Sequence, residues 1–262
     1  KPPELKMEEI KRRREAKRIA EEKFEVSKST GDEKGMRKYS SQFVRITDEI
    51  IKESKELLLG MGIPIIQSPG EGEAEAATLA RANKVWAAAS QDYDAILYGT
   101  PFLIRNLTLA RKRKNPAGIY TDINIELIEF QKVLNKLQVD KDQLISLAIL
   151  VGTDYNPGGV KGLGQKRALE IVQKYKYPVE IFDHIKGSDR YILTFDWQKI
   201  FKQFHEYESS LEEEIEFKKV NNERVKEILK KHDFSENRID SGLERLRKIE
   251  EKKKQKGLGE FF

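Results

Sequence analysis

The N-terminal part of the chain carries apolar positions at helical spacing within strongly charged sequence. Residues 4–27 and residues 36–60 each place their apolar side chains near one face of a helix, and the loop STGDEKG (29–35) separates them. The pattern therefore predicts two long helices, each with one apolar stripe and an otherwise polar surface.

The periodicity then changes to short apolar runs that alternate with helical patterns. IPIIQ (63–67), VWAAAS (85–90) and FLIRNL (102–107) are predicted strands, and a later helix begins near Leu144. Strands that alternate with helices predict the α/β class, with a central, mostly parallel sheet flanked by helices. From about Phe201 the chain is mostly helical and polar, and it ends in a lysine-rich run followed by LGEFF.

Composition excludes several classes of protein. The chain has 262 residues, enough for one large or two small domains, and its lack of cysteine excludes disulfide frameworks and cysteine-bound zinc. The longest apolar run, LISLAILVG, is about half of the roughly 20 residues that a membrane span needs. KPPELKMEE has no signal-peptide features. We therefore expect an intracellular, cytoplasmic protein without a membrane partner.

The charge balance favours one class of partner without settling it. Lys and Arg number 49 against 44 Asp and Glu, a net charge of +5. A basic surface suits a polyanion such as nucleic acid. The Lys/Glu-rich surface of an ordinary thermophilic protein has a similar composition, so charge alone leaves both interpretations open.

Acidic residues stand just after the predicted strands. Glu71 and Glu73 lie in SPGEGEAEAA, Asp92 and Asp94 lie in SQDYDAILYG, and Asp154 follows a later apolar segment. Ligands of open sheets gather where strands end, so we expect these carboxylates to lie together. Hard oxygen donors without cysteine or paired histidines favour Mg²⁺ or Mn²⁺. Two such ions held by carboxylates are a recurrent device for hydrolysing phosphodiesters.

Two other interpretations of these residues remain open. Glu71, Glu73 and Glu75 also suit the first turn of a helix, where the helix dipole favours an anion by about 0.3–1 kcal/mol each. Glu75, four residues after Glu71, is expected to be a surface residue. Asp92-Tyr-Asp94 also resembles a phosphatase motif in which the first aspartate is the nucleophile. The lysine signature that follows in such phosphatases is missing from this sequence.

The glycine-rich stretch VGTDYNPGGVKGLGQKRALEI (151–171) fits neither a phosphate-binding P-loop nor a dinucleotide fingerprint, because Gln and Arg stand where those motifs need other residues. The remaining interpretation of this stretch is a helix, a tight turn and a second helix. Gly162 and Gly164 let backbone approach a phosphate at the start of the second helix. Positive charge is added by Lys161, Lys166 and Arg167. We interpret the stretch as a helix-hairpin-helix that grips the DNA backbone. The alternative is a plain helix–helix corner with solvated lysines.

At these motifs the chain resembles the flap endonucleases, structure-specific nucleases of DNA replication and repair, and in particular the archaeal members. KPPELK, MGIPIIQSPGEGEAEAA, SQDYDAILYG, VGTDYNPGGVKGLGQKRA and the tail occur in family order and cover nearly the whole chain. The resemblance implies a PIN-like 5′-nuclease fold. It also implies two-metal hydrolysis of DNA, with Mg²⁺ or substituting Mn²⁺, at the 5′ flaps of branched DNA, together with 5′–3′ exonuclease activity.

The resemblance also implies the roles of single residues in the active site. The implied metal ligands are Glu71, Glu73, Asp92, Asp94 and Asp154. Lys6 and Arg13 resemble the basic pair that contacts the scissile phosphate.

Further implied features concern the handling of DNA. Residues 1–60 would form a helical arch or cap with phosphate contacts at Lys38 and Arg45, and residues 61–250 a nuclease core with the helix-hairpin-helix near residues 144–175. A K⁺ ion would bind the hairpin through backbone carbonyls, and Val160 and Leu163 are the predicted donors.

One departure from the family leaves a second functional interpretation. Family members carry Asp-Gly before KPP, where the aspartate is a metal ligand, and further ligands lie earlier still. This sequence holds five of the acidic ligands and begins at KPP. The alternative interpretation is therefore a non-catalytic fragment that binds DNA junctions and the sliding clamp.

The tail, residues 251–262, is predicted to be a flexible clamp-binding segment. Gln255, Leu258, Phe261 and Phe262 are spaced to form an apolar plug on a short 3₁₀ turn. The pattern resembles the peptide with which replication enzymes bind the sliding clamp, PCNA. Exposed phenylalanines at the end of a lysine-rich linker favour such a partner over a frayed tail.

Overall fold

The computed structural model describes residues 4–43, 46–108, 112–115, 118–207 and 215–259, with backbone only at 113–114, 250 and 252–259. The chain divides into two units, Lys1–Gln42 with Gln67–Glu212, and Phe43–Ile66 with Glu213–Phe262. Among the described residues, no helix has both the length and the apolar character needed to cross a membrane.

The helices are numbered in chain order. After a 3₁₀ turn at Glu4–Lys6 they are α1 Met7–Ser29, α2 Glu33–Ser40, α3 Asp48–Gly60, α4 Gly72–Arg81, α5 Asp94–Leu97, α6 Phe130–Leu137, α7 Lys141–Val151, α8 Gln165–Lys174, α9 Pro178–Lys186, α10 Trp197–His205, α11 Asn222–Lys231 and α12 Glu236–Gly259. The strands are β1 Ala88–Ala89, β2 Phe102–Arg105, β3 Lys112–Lys114, β4 Tyr120–Asp122 and β5 Glu126–Glu129.

The prediction of one continuous helix over residues 36–60 is wrong. Asp32 caps α2 by accepting the N–H of Gly35 at 3.0 Å, and α2 ends at Ser40. Thr47 caps α3 by accepting the N–H of Ile50 at 3.2 Å. A hydroxyl that satisfies a free N–H starts a new helix, so residues 36–60 contribute to two helices rather than one.

The main sheet is small and mixed, whereas the sequence predicts a mostly parallel one. Its strand order is β1-β2-β5, with β1 parallel and β5 antiparallel to β2. A separate antiparallel pair joins β3 and β4. VWAAAS contributes only Ala88–Ala89. IPIIQ forms no strand over its described residues 63–67, and Pro64 within it has no N–H to donate to a neighbouring strand.

The core of the first unit lies among α4, α5, α7, α8, α9 and α10. Its largest fully buried side chains include Tyr98, Phe182 and Phe204. Phe182 stacks on Trp197 with ring centroids 4.2 Å apart. The Tyr98 hydroxyl hydrogen-bonds the Tyr155 hydroxyl at 2.8 Å, which fixes the segment after α7 against the core. Burial raises the pKa of Tyr155 to about 12 and that of Tyr98 further, so both phenols stay neutral.

The second unit packs α3 against α11, and α11 against α12. Arg224 joins Glu56 of α3 to Glu227 of α11, and His232 Nε2 lies 3.1 Å from Glu53 Oε2. The segment after residue 215 returns along the end of α3, where the N–H of Lys218 donates to the Gly62 carbonyl at 2.9 Å. This close approach requires glycine, because a Cβ at Gly62 would come within 2.0 Å of the Lys218 carbonyl oxygen.

Candidate active site

The loop before α4 positions the first two predicted ligands. Ser68 Oγ donates to the Glu71 carbonyl at 2.9 Å and accepts the N–H of Gly70 at 3.2 Å, which closes a tight turn. Glu71 occupies the N-cap position and Glu73 the first turn of α4. The helix then packs closely on the core, because Ala74 and Ala77 are fully buried and bring little bulk. Small residues therefore hold two carboxylates at the helix start.

Ser90 ties the second acidic pair to the first. Its N–H donates to the Ile104 carbonyl at 3.1 Å, and its hydroxyl accepts the N–H of Asp92 at 3.1 Å while donating to the carboxylate of Glu73. Asp94 begins α5 and is partly buried. One serine thus links the loop after β1 to the start of α4, which brings the two acidic motifs together.

Asn156 fixes the turn that carries Asp154. Its Oδ1 accepts the N–H of Thr153 at 3.1 Å, and its Nδ2 donates to the Ile149 carbonyl at 2.7 Å. Asn156 is buried, and the neighbouring Tyr155 is held by Tyr98. Ser90 and Asn156 were not predicted from the sequence as positioning residues. Their place beside acidic motifs, as short polar side chains in a turn, was the available signal.

Two cations reach the acidic group from the N-terminal segment. Lys6 Nζ lies 3.0 Å from Glu71 Oε2 and 3.1 Å from Asp154 Oδ2. Arg13 Nη2 lies 3.1 Å from both carboxylate oxygens of Asp154. The structure therefore brings the predicted basic pair to two of the five predicted carboxylates.

Glu9 is a further residue of the site that was not predicted from the sequence. Its carboxylate is almost completely buried, and its Oε1 accepts Arg13 Nε at 2.7 Å and Arg12 Nη2 at 3.0 Å. The hydrogen bond from Arg13 lowers the pKa of Glu9. Because Glu9 lies one helical turn before Arg13, it fixes the direction of that guanidinium toward Asp154.

Negative charge accumulates at this site. Burial raises the pKa of Asp94 to about 6, and the charges of Glu73, Asp154 and Asp92 add to the rise while Lys6 opposes it. Burial likewise raises the pKa of Glu73, against its hydrogen bond from Ser90. The pKa of Lys6 is lowered by burial, but hydrogen bonds to Glu71 and Asp154 bring it above the ordinary value. A partly buried group of carboxylates of this kind favours bound cations.

The donor set fits a hard divalent cation by its chemistry. All five predicted ligands offer carboxylate oxygen, and none of them is a cysteine or a histidine. The ammonium of Lys6 already lies between Glu71 and Asp154, so positive charge is accommodated there. Over the described ranges, no three acidic or histidine side chains are gathered closely enough to hold a metal ion.

The helix-hairpin-helix prediction corresponds to α7, a glycine-rich loop and α8. Gly162, with φ +82°, lies against the Arg190 carbonyl, where an added Cβ would come within 2.7 Å. Gly164 is the N-cap of α8 and faces open space. The basic side chains of the loop and helix start are exposed, at Lys161, Lys166 and Arg167. The carbonyl of Val160 accepts the N–H of Leu163 at 3.3 Å.

The other residues predicted to contact DNA or the sliding clamp are not part of the acidic group. Lys38 is exposed on α2, with its Nζ 5.2 Å from the centre of the Tyr39 ring. Arg45, Phe261 and Phe262 lie outside the described residues, as do the side chains of Gln255 and Leu258, whose backbone belongs to α12.

The prediction that Glu75 is a surface residue is wrong. It is 3% exposed, and its Oε2 accepts the hydroxyl of Tyr207 at 3.1 Å. The same hydroxyl lies 3.0 Å from Ser68 Oγ. A buried carboxylate is stable where it has such a partner, so Glu75 supports the loop before α4 from inside.

Comparisons with known proteins agree with this architecture. Residues 62–154 match the XPG I-region family. Along its whole length the chain is 46% identical to a flap endonuclease 1 of Sulfolobus acidocaldarius, of which it covers 77%. The solved flap endonuclease-1 from Methanococcus jannaschii matches with a TM-score of 0.65 and 35% identity, over 82% of this chain and 62% of that one.

A more distant structure supports the fold alone. The catalytic core of Rad2, solved in complex with DNA substrate, matches with a TM-score of 0.65 at 22% identity, over 94% of this chain and 76% of that one. The predicted 5′-nuclease fold and the resemblance on which it was based are therefore confirmed. The chain belongs to the flap endonuclease 1 family.

Proposed function

We propose that this chain is a structure-specific DNA nuclease that cuts branched DNA at a 5′ flap, with 5′–3′ exonuclease activity. One observation carries the proposal: Lys6 and Arg13 converge with Glu71 and Asp154, although the two pairs are far apart in sequence. A phosphodiester needs cationic groups at the phosphate and carboxylates around the attacking water, and this site offers both.

In the proposed mechanism Glu71, Glu73, Asp92, Asp94 and Asp154 hold two Mg²⁺ ions, for which Mn²⁺ can substitute. Bound there, such ions supply an activated water and take up charge on the phosphate. Lys6 and Arg13 bind the scissile phosphate and offset the negative charge that develops on it. Ser90, Asn156 and Glu9 hold these groups in place through the hydrogen bonds described above.

The DNA itself is proposed to be held by exposed basic groups. Lys161, Lys166 and Arg167 grip the duplex backbone beside the start of α8, where Gly164 faces open space and lets a phosphate approach. Gly162 instead allows the loop to pack against the Arg190 carbonyl. Lys38, which is exposed on α2, and Arg45 contact the single strand, and a K⁺ ion binds through the carbonyls of Val160 and Leu163. The tail residues Gln255, Leu258, Phe261 and Phe262 bind the sliding clamp.

The test is a labelled 5′-flap DNA with this chain, in Mg²⁺ and separately in EDTA, with binding and cleavage both recorded. We expect cutting at the junction in Mg²⁺ and none in EDTA, because the carboxylates cannot activate water alone. Cutting that persists in EDTA would contradict the metal mechanism. Tight junction binding without cutting in Mg²⁺ would instead support the non-catalytic interpretation of this chain.

Replacing Lys166 and Arg167 together by glutamine is expected to weaken binding to duplex DNA of every sequence. The slope of log affinity against log salt should become shallower by about 2, because two phosphate contacts are lost. The measurement is a salt titration of affinity on two unrelated duplexes. The matched control is the double glutamine variant of Lys199 and Lys202, exposed lysines of α10. A change of sequence preference would contradict the backbone-gripping role.

A further inference from the structure

The loop that carries Asp92 is held by one arginine from the neighbouring strand. Arg105, the last residue of β2, donates from Nε to the Gln91 carbonyl at 3.1 Å and from Nη1 to the Tyr93 hydroxyl. Its guanidinium carbon lies 4.0 Å from the centre of the Tyr93 ring. A single side chain therefore contacts both residues that flank Asp92 in sequence.

The same guanidinium is anchored on its other side. Arg105 lies directly opposite Glu126 in the antiparallel register of β2 and β5, and its Nη1 is 3.0 Å from Glu126 Oε2. The Arg105 side chain is 18% exposed. Because its planar head is fixed by a strand partner, a ring face and a carbonyl at once, it has little freedom to move.

We propose that Arg105 is a positioning residue for Asp92 and Asp94, and that Tyr93 is the part of the loop that it holds. The proposal rests on the proposed function, in which those two aspartates are metal ligands. It also accounts for the aromatic residue between the two aspartates, because Tyr93, which is 55% exposed, contributes its ring face and hydroxyl to Arg105. The alternative is that Arg105 only ties β2 to β5 through Glu126.

Two substitutions separate these roles. Arg105→Lys keeps a positive charge for Glu126 but loses the planar fork that contacts Gln91 and stacks on Tyr93. Glu126→Gln removes the ion pair and leaves the loop contacts in place. Tyr93→Leu removes the same contact from the side of the loop. Because Tyr93 is exposed, this variant should fold, and it replaces Arg105→Lys in the test if that variant does not fold. Arg224→Gln, which breaks ion pairs of the other unit, is the control.

The readouts are kcat and KM for 5′-flap cleavage and the Mn²⁺ affinity by calorimetry. Arg105→Lys and Tyr93→Leu are expected to lower kcat and weaken Mn²⁺ binding by about 10- to 100-fold, as loss of groups that orient metal ligands does. KM for DNA should change by less than about twofold, because no phosphate contact is removed. Glu126→Gln should stay within about threefold of the wild type. Equal losses in Arg105→Lys and Glu126→Gln, or no loss in Arg105→Lys, would overturn the proposal.

Hydrogen exchange separates this proposal from the proposed function. In the metal-free protein, the amides of Asp92 and Tyr93 should exchange faster in Arg105→Lys than in the wild type and Glu126→Gln. If the wild type does not cut flap DNA, the proposed function fails, while this exchange still shows whether Arg105 orders the loop. Unchanged exchange in Arg105→Lys would overturn the positioning role even in an active nuclease.

Discussion

Asp92→Asn is expected to lower the single-turnover rate of flap cleavage by at least about 1,000-fold while DNA affinity stays within about threefold. The amide has nearly the shape of the carboxylate, and the loop contact made by Asp92 is its backbone N–H to Ser90 Oγ at 3.1 Å. The substitution therefore keeps the loop and removes one negative donor oxygen. In the proposed mechanism cation binding depends on that charge, whereas DNA binding depends on basic groups elsewhere.

The control for this variant is Asp189→Asn, an exposed aspartate outside the acidic group. Its rate and affinity should match those of the wild type. Cleavage that survives in Asp92→Asn would contradict the assignment of Asp92 as a ligand. A phosphorylated aspartate trapped at position 92 of the wild type would instead support the phosphatase interpretation.

The sequence predicted that the acidic residues lie together, but its reason holds for one pair only. Asp92 and Asp94 follow β1, as expected of ligands at a strand end. Glu71 and Glu73 follow a run that forms no strand, and they lie near the other pair because Ser90 hydrogen-bonds Glu73 at the start of α4. The contact of Lys6 with Glu71 spans 65 positions, and no periodicity connects two such residues. The family resemblance predicted that Lys6 contacts the scissile phosphate, and its contact with Glu71 was not predicted.

The supporting residues could not be predicted in the same way. Ser90, Asn156 and Arg105 act through hydrogen bonds to backbone and to neighbouring side chains, and a serine, asparagine or arginine near a loop usually has no such task. Glu75 was misjudged because helical spacing says which residues share a face but not which face is covered. Tyr207, which covers it, is 132 positions away.

The errors in the fold have related causes. Residues 36–60 kept a helical pattern across a real break, because apolar spacing does not register a capping hydroxyl such as that of Thr47. IPIIQ has the composition of a strand, but a strand exists only where a second segment supplies hydrogen bonds. The apolar pattern of a segment shows its preference for a strand. Whether a neighbouring strand is present to pair with it depends on the whole fold.

Lys6 provides the second large expected effect, because it is the most buried cation at the site. Its side chain is 17% exposed, and its ammonium lies within 3.1 Å of both Glu71 and Asp154. Its charge also lowers the pKa values of Glu73 and Asp94, whose burial raises them. In the proposed mechanism it offsets charge on the scissile phosphate, so its loss should affect the transition state more than the bound substrate.

Lys6→Met is accordingly expected to lower the single-turnover cleavage rate by about 100- to 1,000-fold, with a much smaller change in DNA affinity. Lys6→Arg, which keeps the charge, should recover part of that rate, and Lys11→Met, an exposed lysine on α1, should resemble the wild type. A purely structural ion pair would behave differently. Lys6→Met would then lower the melting temperature while the rate of the folded protein stayed unchanged, because only the pairing of Glu71 and Asp154 would be lost. Rates measured well below the melting temperature of each variant decide between the two roles.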